Sequence, residues 1–443
     1  MLLGAVSNDR CDALQGVTIP GLTIANTGQS GGICRVEAVA RPRPGAAIGI
    51  ELWLPPADRW SGRYYQMGNG GFAGSIDRAT LNAAAVRGDV AAATDTGHKG
   101  SGFDARWAAG RPDLVDDYAW RSIKVTADAA NALTRLYYGK PARRHYFMGC
   151  SFGGRQALTA AARWPRDWDG IIAGAPATDW PARIAGFARI QHALRSVSGG
   201  WIAPDRIAGL AATARRACQA GGPDCVIRAL HRACRRGKAV ACLTTPQIAS
   251  LRTIEAAGYP LVDADPAEWQ HWIVNPDPEA SSQLTFATQA YRWLFGVSRN
   301  WTPADGVALT PDRSRARVFS VGSLRPFLAK GGKVISYFGA ADAVLPPALA
   351  VTDARARGAA IGAYRLFMVP GMAHCQGGSA PHAFGQSLSA PAPADDPRSD
   401  VRRMLEAWVE RGVTPRLLVA ATVGPGPRRT VTLRPADLAA APR

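Results

Sequence analysis

Apolar side chains recur along the chain at two spacings, which predict strands in some segments and helices in others. Residues 47–55, AIGIELWLP, alternate in apolar character and predict a strand. Residues 117–139 carry apolar side chains at helical spacing and end at Gly139, a residue suited to a C-terminal helix cap. The same criteria predict further strands within residues 63–67, 89–94, 143–151, 168–177, 331–342 and 363–374, and further helices within residues 153–165 and 400–412.

Strands and helices alternate in the first and last parts of the chain, whereas the middle has a different pattern. Such alternation predicts an α/β fold, in which a mostly parallel sheet is covered by helices. The middle is predicted to be mostly helical or irregular and contains four of the eight cysteines. We therefore expect one domain built from residues 1–177 and 321–443 and a second from residues 178–320. The Pro- and Ala-rich segment 387–400 is predicted to be a surface loop.

The composition is that of an ordinary soluble globular protein, with 47% hydrophobic and 19% charged residues. No apolar run approaches the ~20 residues that a membrane-spanning helix needs, so we expect no membrane partner. The first residues, MLLGAVSNDR, are too few and too polar for a secretion signal. If the protein is exported, we expect its leader to lie outside this sequence.

The formal net charge of +18 comes mainly from arginine and has two interpretations. One is binding to nucleic acid or another polyanion; the other is an arginine-rich coding bias on solvated faces. The basic clusters around Arg143 and Arg232 are not interleaved with aromatic residues. We therefore favour the second interpretation and expect no nucleic-acid partner, although the positive potential should favour small anionic substrates.

The number of cysteines is even, and none of them forms a C-x-x-C pair. No histidine stands at the spacing of a zinc finger, so the sequence does not favour a metal site. Four disulfides in an oxidising compartment are the preferred interpretation, and free buried thiols in a cytosolic enzyme are the alternative. The cysteines are Cys11, Cys34, Cys150, Cys218, Cys225, Cys234, Cys242 and Cys375.

Residues 149–153, Gly-Cys-Ser-Phe-Gly, lie between a predicted strand and a predicted helix. This is the context of a nucleophile elbow, a sharp turn that exposes a serine hydroxyl at the carboxyl edge of a sheet. In the α/β-hydrolase fold the orienting acid and then the histidine base follow the serine. Asp342 and His374 each come directly after a later predicted strand. The sequence therefore predicts an α/β-hydrolase fold with Ser151, Asp342 and His374 as catalytic residues.

Two cysteines stand beside these candidate catalytic residues. Cys150 precedes Ser151, and Cys375 follows His374. If Ser151 and His374 meet in a triad, their cysteine neighbours also lie close together, so we expect a Cys150–Cys375 disulfide. His98 precedes the elbow, which is the wrong order for the base, and we expect it to pack at the edge of the sheet.

Several longer segments of the chain resemble the tannase and feruloyl esterase family, whose members carry a Cys-Ser, Asp, His-Cys signature. The similar segments lie in the family's order between residues 10 and 420 and include GNGGFAGSI, ATDTGH, DWDGIIAGAPATDWPAR, CLTTPQ and VPGMAHCQGG. The resemblance implies that Ser151 is the nucleophile, His374 the general base and Asp342 its partner. It also implies that residues 178–320 form a lid domain inserted into the α/β-hydrolase fold.

An ester hydrolase of this kind needs an oxyanion hole, a set of N–H donors that bind the negative oxygen formed on the substrate. The N–H of Phe152, directly after the nucleophile, is expected to be one donor. The loop GNGGF, residues 68–72, is expected to supply the other, from Gly71 or, nearly as well, from Gly70. The alternative is that this loop is a plain tight turn.

These residues predict a secreted or periplasmic serine carboxylesterase that works through an acyl-enzyme and needs no cofactor. Tryptophans in the predicted lid suit small aromatic esters. The resemblance implies feruloyl-type esters, or terephthalate-type esters because mono(2-hydroxyethyl) terephthalate hydrolase resembles the same family. A tannin acyl hydrolase acting on galloyl esters and a non-catalytic binding protein are the alternatives. The tryptophans are Trp180, Trp201, Trp269, Trp272, Trp293 and Trp301.

The predicted lid departs from the family at its cysteine-rich loop. Family members commonly carry an aspartate-rich calcium loop between two lid cysteines, whereas here CQAGGPDC, residues 218–225, offers a single carboxylate, Asp224. Calcium takes about 6 to 8 oxygen ligands, so we expect no metal in this lid. Comparison with the family spacing implies the pairs Cys218–Cys225, Cys234–Cys242 and Cys11–Cys34, and the alternative in the lid is Cys218–Cys234 with Cys225–Cys242.

We therefore predict that chelation leaves the protein unchanged. Elemental analysis should find no stoichiometric calcium, and the melting temperature should be the same with and without EDTA, because a ligand that does not bind cannot stabilise the fold. A family member with the aspartate-rich loop is the control, and its melting temperature should fall with EDTA. Bound calcium, or a drop of many degrees on chelation, would contradict the prediction.

Overall fold

A nine-stranded mixed sheet forms the centre of the protein. The computed structural model describes residues 10–218, 223–306, 317–359 and 362–439. Along the sheet the strands follow the order β1-β2-β3-β5-β4-β6-β7-β8-β9. In chain order they are β1 Leu22–Ser30, β2 Ile33–Ala40, β3 Ile48–Leu54, β4 Arg63–Met67, β5 Val90–Thr94, β6 Arg144–Cys150, β7 Gly170–Gly174, β8 Lys333–Gly339 and β9 Tyr364–Val369.

The direction of the strands changes across the sheet. The successive pairs β1–β2, β2–β3 and β3–β5 are antiparallel, whereas β5, β4, β6, β7, β8 and β9 run parallel. Every residue of β5 and β7 is buried, as expected for strands covered on both faces. Because the carboxyl ends of parallel strands lie along one edge, the loops after β6, β8 and β9 meet there. The predicted α/β fold is therefore confirmed.

The strands predicted from the sequence do not include β1, β2 or a small second sheet. Ile24 is the one buried residue of β1, so this strand has no apolar alternation to detect. β2 does alternate in burial, so its apolar periodicity is sufficient to predict a strand. The small sheet pairs β10 Leu418–Ala421 with β11 Thr430–Leu433, and both strands are too short for a periodic signal.

The helices have the following bounds in the described part of the chain. The α-helices are α1 Arg78–Val86, α2 Pro112–Asp116, α3 Ser122–Tyr138, α4 Phe152–Arg163, α5 Trp180–Arg195, α6 Ile207–Ala217, α7 Pro223–Arg235, α8 Thr245–Ala256, α9 Pro266–Trp272, α10 Ser282–Gln289, α11 Arg325–Ala329, α12 Ala350–Ala356 and α13 Val401–Arg411. Single π-helical turns are Asp117–Arg121 and Ala290–Leu294. The 3₁₀ turns are Leu14–Gly16, Arg106–Ala108, Pro204–Arg206, Ala239–Ala241, Leu261–Asp263, Pro278–Ala280, Pro303–Asp305 and Pro347–Leu349.

Helices cover both faces of the sheet. Helices α1 and α13 pack on one face, where Leu81 and Trp408 share an apolar cluster with Tyr65 of β4. Helices α3 and α4 pack on the other face together with the helices that follow β7. Helix α3 ends at Gly139, whose φ of 71° makes it the predicted cap. The predicted helix 117–139 differs at its start, because its first turn is the π turn Asp117–Arg121.

The chain between β7 and β8 folds into helices that join the core on one side of the sheet. Its described residues, 175–218, 223–306 and 317–332, contain no strand. Trp180 and Phe187 of α5 share an apolar cluster with Phe152 and Leu158 of α4. We propose residues 178–320 as the lid, with residues 219–222 and 307–316 outside the described part of the chain. Residues 1–9, 360–361 and 440–443 of the predicted catalytic domain also lie outside it.

Three disulfides join residues outside the parallel strands. Cys11–Cys34 joins the segment before β1 to β2. The lid bonds connect cysteines 7 and 8 residues apart, and they are the family-like pairs rather than the alternative ones. No helix of the described ranges is both long and apolar enough to cross a membrane. The lid bonds are Cys218–Cys225 and Cys234–Cys242.

Candidate active site

Ser151 stands at a sharp turn between β6 and α4. Its backbone has a φ of 60° and a ψ of −126°, a conformation that is rare outside glycine. The Ser151 N–H donates to the Gly174 carbonyl at 2.9 Å, and the Ser151 carbonyl accepts from the Ala177 N–H at 3.0 Å. A Cβ at Gly153 would lie 2.9 Å from the Asn69 carbonyl oxygen, so glycine is required where α4 passes that loop. This is the geometry of a nucleophile elbow.

Asp342 and His374 form a hydrogen-bonded pair after β8 and β9. Oδ1 of the buried Asp342 accepts from the N–H groups of Val344 and Leu345, each at 2.8 Å. Oδ2 lies 2.7 Å from Nδ1 of His374. Because a carboxylate oxygen accepts, Nδ1 carries the proton and Nε2 is left as an acceptor. Nε2 is buried, and among the described residues it has no hydrogen-bond partner.

A disulfide joins the loop of Ser151 to the loop of His374. Cys150 and Cys375 are bonded, with Cα atoms 5.9 Å apart and a sequence separation of 225. Cys375 has a φ of 67°, so the chain turns sharply directly after His374. The structure therefore brings Ser151, Asp342 and His374 to the same edge of the sheet.

The glycine loop after β4 approaches the start of α4. Asn69 anchors this loop, because its N–H donates to Oε1 of Gln156 at 2.8 Å and its side-chain amide donates to two backbone carbonyls. Within the described ranges, the N–H groups of Gly70, Gly71 and Phe152 have no acceptor. The donors predicted from the sequence are thus close to the elbow and unengaged.

Trp272 of α9 is the lid tryptophan whose ring lies beside His374. Its ring centroid lies 6.4 Å from that of His374, 6.1 Å from that of Phe103 and 6.0 Å from that of Phe286. Phe103 is 43% exposed and Phe286 is buried, so this aromatic group reaches the protein surface at Phe103. The buried Trp180 lies behind the same group, with its ring centroid 6.0 Å from those of Phe152 and Phe286. Of the remaining lid tryptophans, Trp269 and Trp301 are buried, while Trp201 and Trp293 contact Arg195 and Arg299.

Glu268 lies one helical turn before Trp272, and therefore on the same face of α9. Its carboxyl is half-buried and has no hydrogen-bond or ion-pair partner in the described part of the chain. Burial raises the pKa of this carboxyl, the Asp265 and Asp342 carboxylates raise it further, and the His374 imidazole opposes them. This carboxyl is thus within electrostatic range of the Asp342–His374 pair. The sequence analysis missed it, because only the packing of α9 places it there.

His98, the histidine that precedes the elbow, supports the glycine loop. Its ring stacks on Trp107 with centroids 3.8 Å apart, and its Nε2–H donates to the Phe72 carbonyl at 2.9 Å. Burial lowers the pKa of His98, which favours the neutral ring. His98 is therefore in a packed position beside the sheet and in contact with the loop of the predicted oxyanion donors.

The described residues contain no group of three or more His, Cys, Asp or Glu placed to hold a metal ion. Residues 219–222 of the shortened lid loop lie outside the described residues. The expected absence of calcium therefore stays a prediction.

The placement of these residues defines a class of protein. A serine on the turn after β6, an aspartate after β8 and a histidine after β9 of a parallel sheet form the arrangement of the α/β-hydrolase fold. A family model described as tannase and feruloyl esterase matches residues 34–302 and 320–435. The chain belongs to the tannase and feruloyl esterase family and is a carboxylic ester hydrolase.

Individual relatives agree with this assignment. The chain is 32% identical to an uncharacterized esterase of Xanthomonas campestris pv. campestris, over 88% of this chain and 77% of that protein. It is 28% identical to feruloyl esterase C of Talaromyces stipitatus, over 89% of this chain and 79% of that protein.

Solved structures share the fold. Feruloyl esterase B of Aspergillus oryzae superposes with a TM-score of 0.81 at 22% identity, covering 97% of this chain and 95% of that one. The tannin acyl hydrolase of Aspergillus niger superposes with a TM-score of 0.65 at 19% identity, covering 98% and 94%. At these identities the matches show the architecture alone.

We predict that loss of the Cys150–Cys375 bond lowers kcat far more than loss of a lid disulfide. In Cys150→Ala/Cys375→Ala the loops of Ser151 and His374 are no longer joined, and a displacement of about 1 Å can cost about a hundredfold in rate. The matched control is the double alanine variant of Cys234 and Cys242, which should keep kcat within about twofold. Steady-state kinetics on a small aryl ester below both melting temperatures measures this.

Thermal unfolding of the same two variants distinguishes an effect on kcat from an effect on stability. Chain entropy predicts at most about 5 kcal/mol for the bond with a separation of 225 and about 2.5 kcal/mol for the bond with a separation of 8. Equal losses of kcat in both variants would show that the Cys150–Cys375 bond contributes stability alone.

Proposed function

We propose that the protein is a serine carboxylesterase in which Ser151 is the nucleophile, His374 the general base and Asp342 the residue that orients the base. The observation that carries this proposal is the Asp342–His374 hydrogen bond of 2.7 Å, whose unpartnered Nε2 belongs to a loop bonded to the loop of Ser151. A triad is recognised by such roles and geometry rather than by spacing in the sequence.

The proposed reaction proceeds through an acyl-enzyme. Oγ of Ser151 attacks the ester carbonyl carbon while Nε2 of His374 takes its proton; the bond to the leaving alcohol then breaks, and His374 protonates that alcohol. Water next attacks the acyl carbon, again losing a proton to His374, and the acid leaves with the serine restored. Asp342 accepts the Nδ1 hydrogen bond throughout and stabilises the imidazolium.

The oxyanion formed in each step needs two N–H donors. The N–H of Phe152 opens α4, where the helix dipole reinforces it. The Asn69 carbonyl lies against α4, so the Gly70 N–H, antiparallel to it in the same peptide, points away from that helix. The Gly70 carbonyl accepts from Ala73 inside the loop, which turns the Gly71 N–H outward. These directions support Gly71 as the second donor.

We propose hydroxycinnamoyl esters of the feruloyl type as the preferred substrates. Trp272, Phe103 and Phe286 present flat apolar surface beside His374, which suits an aromatic acyl group. Relatives named feruloyl esterase support this class. Galloyl esters are the second candidate, because the family also contains tannases.

Glu268 argues against terephthalate monoesters, which carry a second carboxylate. Once ionised, its carboxyl beside Trp272 repels a negatively charged acyl ring. The net charge of +18 acts in the opposite sense, but exposed charges are screened beyond about 8 Å at physiological ionic strength. The half-buried carboxyl is screened less, so its local repulsion should dominate.

We also propose that the protein works outside the cytoplasm. All eight cysteines are paired in four disulfides. Disulfides in such number persist in oxidising compartments and are rare in the cytosol. The secreted or periplasmic location rests on this chemistry.

We predict that Ser151→Ala abolishes ester hydrolysis and leaves the fold intact. Loss of the nucleophile should lower kcat on methyl ferulate by about 10⁴-fold or more. The matched control is Ser250→Ala, which removes a buried hydroxyl that donates to the Ala193 carbonyl away from the site, and it should keep wild-type activity.

A fluorophosphonate probe tests the same assignment independently of turnover. It should label wild-type protein at Ser151 and leave the Ser151→Ala variant unlabelled. A folded wild type that neither hydrolyses esters nor accepts the probe would favour the non-catalytic binding protein.

We predict that Glu268→Gln shifts the substrate preference toward anionic acyl groups. Removing the charge should raise kcat/KM for monomethyl terephthalate about fivefold or more, because an unscreened like charge at close range costs about 1 kcal/mol or more. The value for methyl ferulate should change less than about threefold. Glu279→Gln is the control, since it removes the same charge at an exposed lid position. If the ratio of kcat/KM for monomethyl terephthalate to kcat/KM for methyl ferulate is unchanged in Glu268→Gln, the proposed repulsion is refuted.

A further inference from the structure

One buried side chain, that of Tyr118, contacts both residues from which the oxyanion donors are expected. Its hydroxyl donates to the Gly71 carbonyl at 2.6 Å. Its ring stacks on the ring of Phe152, with centroids 4.1 Å apart and planes 8° from parallel. The glycine loop and the start of α4 are therefore both in contact with one rigid aromatic group.

The backbone that carries Tyr118 is unusual. Tyr118 belongs to the π turn Asp117–Arg121, and single π turns of this kind are rare and occur frequently at functional sites. The buried Asp117 carboxylate binds Arg43 at 2.6 Å and also binds Arg121. Nη1 of Arg155, a residue of α4, donates to the Ala119 carbonyl at 2.9 Å. The turn is thus fixed to the same helix that begins with Phe152.

The glycine loop needs such support, because glycine backbones are flexible by themselves. Gly71 has a φ of +52°, and a Cβ there would collide with the Gly102 carbonyl. Two hydrogen bonds hold the next residue, Phe72. Its N–H donates to the Gly102 carbonyl at 2.9 Å, and its carbonyl accepts from the His98 ring. The Tyr118 hydroxyl is the side-chain donor to the Gly71 carbonyl itself.

We propose that Tyr118 is a positioning residue for the oxyanion hole, which holds Gly71 and Phe152 at the separation that the transition-state oxygen requires. The inference rests on the proposed esterase function. Tyr118 does not touch the substrate in this account; its hydroxyl orients the peptide after Gly71, and its ring sets the rotamer of Phe152. Burial raises the pKa of Tyr118, which keeps its hydroxyl protonated as a donor.

The positioning role has a kinetic signature. Donors to the oxyanion act mainly in the transition state, and loss of one donor costs about 10²- to 10³-fold in kcat. Loosening one donor, rather than removing it, should cost less, and the ground-state ester should bind as before. We therefore expect Tyr118→Phe to lower kcat about 10- to 100-fold while KM stays within about twofold.

Tyr138 offers a matched control. Its hydroxyl also donates to a backbone carbonyl, that of Pro55, at 2.6 Å, and its ring also stacks on an aromatic neighbour, Trp60, at 3.8 Å. It lies at the end of α3, away from the strand ends that carry the site. Tyr138→Phe loses the same kind of hydrogen bond, so any general effect on stability should appear in both variants.

The experiment compares the two variants on methyl ferulate and on an aryl trifluoromethyl ketone, whose adduct with a serine carries an oxyanion. Tyr118→Phe should weaken inhibition by the ketone by the same factor as kcat, and Tyr138→Phe should leave both values within about twofold of wild type. Tyr118→Leu, which also removes the stacked ring, should lose more than Tyr118→Phe.

Two outcomes overturn the inference. One is an equal loss of kcat in Tyr118→Phe and Tyr138→Phe that follows the fall in their melting temperatures. That result would mean that the Tyr118 hydrogen bond contributes only to stability. The other is a rise of KM in Tyr118→Phe with kcat and ketone affinity unchanged. A wild-type protein without esterase activity would instead refute the proposed function, so the two failures are distinguishable.

Discussion

The covalent bond between Cys150 and Cys375 is the constraint on which the rest of the site depends. It ties the last residue of β6 to the residue after His374, across a sequence separation of 225. The helical segment between β7 and β8 can therefore pack or move without separating the elbow from the base loop. Asp342 reaches the same edge from β8, and two backbone N–H groups hold its carboxylate so that one oxygen faces His374. One bond and one buried carboxylate align three loops.

The opposite side of the site has no covalent restraint and relies on side chains that hold a flexible loop. Asn69 anchors the start of the glycine loop, Tyr118 holds the Gly71 carbonyl and His98 holds the carbonyl of the next residue. Each of these side chains satisfies a polar group within the protein, where a donor or acceptor without a partner is destabilising. In the proposed oxyanion hole, the small glycine residues leave room for a substrate, and the rigid side chains behind them hold the loop in place.

The sequence was most informative where a pattern is local. Strands such as β5 and β7, whose residues are all buried, and the elbow between β6 and α4 were predicted from apolar runs and glycine positions. β1 was missed because only one of its 9 residues, Ile24, is buried. The sequence predicts a single helix from residue 117, because the periodicity of apolar residues does not distinguish a π turn from an α turn.

The sequence by itself determined the order of the proposed catalytic residues along the chain: Ser151 follows β6, Asp342 follows β8 and His374 follows β9, and parallel strands bring their carboxyl ends to one edge. The tertiary structure alone decided that Trp272 lies beside His374 and that Glu268 lies on the same face of α9 as Trp272. It alone decided that Tyr118 contacts both Gly71 and Phe152. These facts depend on how α9 and the π turn are rotated against their neighbours. Such rotations are set by packing between segments far apart in sequence, which no local pattern of apolar and polar residues encodes.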